Sequence, residues 1–172
     1  MTLEQWAQIA EIAAAIAIAP SLIYLAIQVR QSKISSEREA AFELIRSFQT
    51  VEFARMLQLS LDVPPGLSRA ELEERFEGEN ALLYSYFATW ESLGIMVHRG
   101  QISLNLVCDF FSHPILLAWR MAEASVIETR QQSGRDTPWE WFQWLAERVE
   151  LLEKDNEPIP AYIQYDDWGR KK

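Results

Sequence analysis

The stretch from Trp6 to Val29, WAQIAEIAAAIAIAPSLIYLAIQV, limits what this chain can be more than any other. From Ile12 to Ile27 it holds no charge, and its only polar members are Ser21 and Tyr24. Coiled as a helix from Ile9 to Val29, it would extend roughly 30 Å at about 1.5 Å per residue, the thickness of a bilayer's hydrocarbon core. The stretch therefore predicts a membrane-spanning helix. A cleaved leader would carry a basic start, whereas MTLEQ carries only Glu4, and the small-x-small match Ala17 to Ala19 falls in mid-run. A helix lying on the membrane surface would show one strongly polar face, and none exists between Ile12 and Ile27. A buried helix of a water-soluble domain would be shorter or broken by polar positions.

Charge sets the expected orientation. No Lys or Arg precedes the run, while Arg30, Lys33 and Arg38 follow it, which places the following flank in the cytoplasm and the N-terminus outside. Trp6 and Tyr24 near the two ends, with Arg30 and Lys33, are the expected interface anchors. Ala10, Ala13, Ala14, Ala17 and Ser21 recur at three- and four-residue spacings that let helix backbones approach closely, though alanine is simply common in this stretch. Gln8 and Glu11 form a candidate intramembrane polar site, with snorkelling to water as the alternative for Glu11. Pro20 removes one backbone bond and predicts a modest kink.

Three parts are expected along the 172 residues: a transmembrane anchor over 1–30, a cytoplasmic helical bundle over 31–155, and an extended aromatic tail over 156–172. The fold class is all-α. Glycine is scarce, and outside the span the prolines sit at boundaries. The net charge is −9; residues 1–30 hold two acids (Glu4, Glu11) and one base (Arg30), so −8 falls on the remainder. An acidic domain without a basic stripe argues against nucleic acid as a partner. A single cysteine, Cys108, excludes an intrachain disulfide.

After the span, helical spacing continues through Ala41, Leu44, Ile45, Phe48, Val51, Phe53, Met56 and Leu57, as one long helix or as two, with Ser35 or Ser36 capping a fresh start. Pro64-Pro65-Gly66 stops it. Ser68 and Glu71 form a capping box, and a central helix runs from Asn80 to about His98. A short helix is expected over Ile102–Phe111, capped by Ser103. Another restarts at Pro114 and runs to about Gln132, burying Ile115, Leu116, Trp119, Met121 or Ala122, Val126 and Ile127. Thr137-Pro138-Trp139-Glu140 reads as a second capping box for a helix loaded with tryptophan. Trp139, Trp141 and Trp144 cannot all face one core. Some of them are expected to meet Tyr162, Tyr165 and Trp168 of the tail, a second subunit or another protein.

Four segments, SLIYLAIQVRQ, ESLGIMVHRG, the Asp109-Phe110-Phe111 region and WEWFQWLAER, resemble a group of bacterial single-span membrane proteins of unknown function. The resemblance covers most of the chain. It implies an inner-membrane location and a helical cytoplasmic domain, and it implies no activity. His98, Cys108, Asp109 and His113 match no tight metal spacing, and no nucleophile elbow, phosphate loop or dinucleotide fingerprint occurs. No catalytic residue, metal or cofactor is assigned. The expected role is an interaction or accessory subunit, bound to the lipid bilayer and partnered by a membrane protein or by its own copies. The alternative is a homo-oligomeric membrane effector or ion pathway with Glu11 near the pore mouth.

Overall fold

A computed structural model describes residues 4, 20–32, 35, 39, 46, 48–155 and 159–169. The chain divides into two compact units, 1–44 and 45–172. Among the described residues every regular element is a helix and no strand occurs.

In the first unit, residues 20–32 are helical (α1), and every one of them is exposed. Leu22, Ile23, Tyr24, Leu25, Ile27 and Val29 keep between 50% and 68% of their surface open. Among the described residues no helix is long and apolar enough to cross a membrane. Most of the 6–29 run, from Trp6 to Ala19, lies outside the described residues. So do Gln8, Ala10, Glu11, Ala13, Ala14, Ala17 and Lys33, and the backbone bond that Pro20 removes.

The second unit carries six helices among the described residues: α2 (Val51–Ser60), α3 (Arg69–Arg75), α4 (Asn80–His98), α5 (Leu104–Ser133), α6 (Glu140–Asp155) and α7 (Ala161–Gln164). Helices α4, α5 and α6 pack on one another, α2 lies against α4 and α5, and α3 lies against α5. Trp90, Phe87, Phe142, Leu83, Ile115, Met121 and Leu145 fill the interior they share. The α3 capping box forms as expected, with Ser68 Oγ accepting from the Glu71 amide and Glu71 accepting from the Ser68 amide. Helix α5 ends at Ser133, beside the expected end at about Gln132, where Gly134 takes the left-handed conformation that a side chain would oppose.

Several boundaries differ from expectation, each for a local reason. Ser35 is helical, and Ser36 lies outside the described residues. The fresh start falls at Thr50, whose hydroxyl accepts from the Phe53 amide at 3.1 Å. Pro114 does not restart a helix, because α5 runs through it unbroken. Val107 before it and Ile115 after it are both fully buried, and that shared burial outweighs the one hydrogen bond proline cannot donate. Ile127 is 46% exposed instead of buried, and the inward face passes through Ala122, Ser125 and Val126. Residues 161–164 coil into one helical turn, so the tail is not extended throughout. The Thr137 capping box does not form either. Trp139 adopts a positive φ of 58°, so α6 begins at Glu140, two residues after the Pro138 start that a Thr137 cap would give.

Candidate functional site

The start of α6 is held from outside its own helix. With Trp139 in a left-handed conformation, the first amides of α6 need another acceptor. Glu91 of α4 supplies it, accepting from the Phe142 amide at 2.7 Å. One turn further along α4, Gly94 lets the two backbones meet. A Cβ built at Gly94 would stand 2.2 Å from the Trp141 carbonyl oxygen, so only glycine fits. His98, another turn on, lays its ring 4.6 Å from that of Trp141 and 5.6 Å from that of Trp144. Glu91, Gly94 and His98 thus form one strip of α4 that clasps α6.

This strip joins two of the segments singled out in the sequence, ESLGIMVHRG and WEWFQWLAER. Trp139 packs on the other side, with its ring 6.4 Å from Tyr84 and 5.7 Å from Phe87. Arg130 of α5 completes the collar, Nε donating to the Pro138 carbonyl at 3.0 Å and Nη1 to Gln143 Oε1 at 2.6 Å. Burial pushes the Glu91 carboxyl up from its ordinary range, partly offset by the Phe142 and Trp141 amides. The three tryptophans are half-buried, each against rings of the same domain.

On the far side of α6 an open groove of about 610 Å³ runs between α5 and α6. Leu116, Trp119 and Ala146 form its apolar floor. Glu123, Glu147, Glu150 and Glu153 line it against two bases, Arg120 and Lys154. Trp119 is fixed from behind by an edge-to-face contact with Phe142 at 5.2 Å. Lys154 pairs with Glu150 at 3.0 Å, and Glu147 accepts from Gln143 at 2.9 Å. Sequence reasoning passed over both this groove and the Glu91–Gly94 strip. The signals were present in Glu147, Glu150 and Glu153 at three-residue spacing, and in Glu91, the one carboxylate of its helix, with a glycine three residues on.

The remaining sequence-selected residues lie apart from these two places. Ser21, Tyr24 and Arg30 sit on exposed α1. Tyr162, Tyr165 and Trp168 are exposed by 79%, 54% and 82%, and their rings make no contact with those of Trp139, Trp141 or Trp144. Cys108 is half-buried in α5, and burial first, then Asp109 and Glu153, pushes its thiol up to about 11, which leaves it a poor nucleophile at neutral pH. No group of metal-ligating side chains converges among the described residues.

Comparison with known families is decisive on one point. A family model described as a domain of unknown function, DUF4760, matches residues 7–149. The chain belongs to the DUF4760 family. No curated protein and no solved structure matches it. The DUF4760 match takes in the apolar run 12–27, the Glu91–Gly94 strip and α6 as far as Val149. The apolar run of this chain thus lies inside the matched range, and the 159–172 segment lies beyond it.

Proposed function

We propose that this DUF4760 chain is a non-catalytic helical module, fixed to a bacterial inner membrane by one N-terminal span, that acts as an interaction or accessory subunit. The observation that carries this is α1. Ten uncharged residues, 20–29, form helix with every side chain exposed, and the uncharged run that precedes them begins at Ile12. Leaving a large apolar side chain in water forgoes about 1.5–3 kcal/mol of burial, a loss that a lipid environment removes for the whole row. Arg30, Lys33 and Arg38 on the following flank favour a cytoplasmic 45–172 unit with the N-terminus outside.

The second unit supports an adaptor role. Its tightest constructions, the Glu91–Gly94 clasp and the Arg130 collar, hold α6 in place, and α6 presents one wall of the acidic groove. Its partners are a membrane complex or further copies of itself. Solubilising native membranes in mild detergent, sizing the protein and identifying what co-purifies by mass spectrometry tests this role. The expected result is a particle larger than one chain in its micelle; a clean monomer with nothing attached overturns it.

A further inference from the structure

We infer that the α5/α6 groove receives the 159–172 segment of a second copy of this chain. The inference deepens the proposed interaction role and rests on it, by naming the contact through which copies associate.

The groove and the segment match in three respects. The first is surface. Tyr162, Tyr165 and Trp168 stand three residues apart on α7 and the turn that follows it, where the Tyr165 amide donates to the Ala161 carbonyl and the Trp168 amide to the Tyr165 carbonyl. With Ile159 and Ile163 they make an uncovered aromatic and aliphatic row. The groove offers a floor of half-buried Leu116 and Trp119 over buried Ala146. Exposed tyrosine and tryptophan beside an apolar floor are what interface centres are built from.

The second is length. Tyr162 to Trp168 is seven residues of short helix and following turn, and the α6 wall from Glu147 to Lys154 is eight residues. The third is charge. Four glutamates and two bases line the groove, whereas the segment carries Asp166, Asp167, Arg170, Lys171 and Lys172. The groove's net of −2 is thus complemented by the three bases at the end of the segment, which follow its two acids. The occupant comes from a second copy because 159–169 is exposed along its whole length on its own chain. Each copy carries both this groove and this segment, so a two-fold pair satisfies both at once.

Cysteine cross-linking of full chains in detergent micelles tests this. Two tagged populations, both Cys108→Ser, carry Glu123→Cys on the groove wall or Gln164→Cys on α7. Oxidation of the mixture is expected to give a covalent pair joining the two tags. Glu150→Lys with Glu153→Lys in the first population is expected to cut the yield about tenfold, and Arg170→Glu with Lys171→Glu in the second to restore it. Absence of the mixed product, or a yield indifferent to charge reversal, overturns the inference. Trp168→Ala in the otherwise unaltered chain gives an independent measure: sedimentation is expected to shift from pair to single chain, and an unchanged mass counts against the docking. Vesicle flotation of the same samples separates the two ideas. A chain that floats but does not cross-link refutes the groove assignment alone, and one that cross-links without floating refutes the membrane anchor alone.

Discussion

At the scale of single residues, Gly94 and Glu91 carry the strongest claims. Alanine is the better helix former by about 1 kcal/mol, so helix propensity alone predicts that Gly94→Ala stabilises the domain. The 2.2 Å approach to the Trp141 carbonyl predicts the opposite, because that neighbour is backbone and cannot swing away. Gly94→Ala should cost about 2 kcal/mol or more, read as a lower denaturation midpoint with an unchanged denaturant slope. Glu91 makes a separate prediction. Its carboxyl is raised in the folded state, chiefly by burial, so its protonated form is the better tolerated one. The stability it contributes is complete below the ordinary carboxylate range and is lost as pH rises through the folded-state value. Glu91→Gln keeps an acceptor for the Phe142 amide and should flatten that fall in thermal melts from acid to neutral pH. Glu91→Ala removes the acceptor and should destabilise at every pH, by about 1–2 kcal/mol.

Among elements, α5 shows how tertiary packing overrides a local signal. Proline in a helix interior costs about 3 kcal/mol, yet α5 passes through Pro114 because Val107, Ile115 and Ala118 are buried on one continuous face. Pro114→Ala should therefore raise the melting temperature while leaving the helical circular dichroism signal essentially unchanged. A clear fall in either would mean that the ring itself is needed. The all-helical class, the capping boxes at Ser68 and Thr137, the stop at Pro64-Pro65-Gly66 and the span of α4 could be read from local chemistry, and three of these four details hold as read. The Thr137 box failed because the Trp139 ring is drawn against Tyr84 and Phe87, contacts more than fifty residues away. Distance hid the candidate site in the same way. Nothing near Trp139 in sequence announces Glu91 as the acceptor for α6, and the groove exists only once α5 and α6 lie side by side.

For the whole molecule, the 45–172 unit holds a buried interior of its own, whereas every described residue of the 1–44 unit is exposed. That contrast is the basis for reading the first unit as an anchor and the second as what it presents. If so, placing charge on α1 should move the protein without unfolding its bundle. Leu22→Lys combined with Leu25→Lys should release much of the protein from membranes while the melting transition of the bundle shifts by no more than a degree or two. The most direct measurement is alkaline extraction of membranes from cells producing the unaltered full chain, followed by high-speed centrifugation without detergent. A membrane-inserted α1 predicts that the chain stays in the pellet and enters solution only when detergent is added. Recovery of the intact chain in the alkaline supernatant would contradict it.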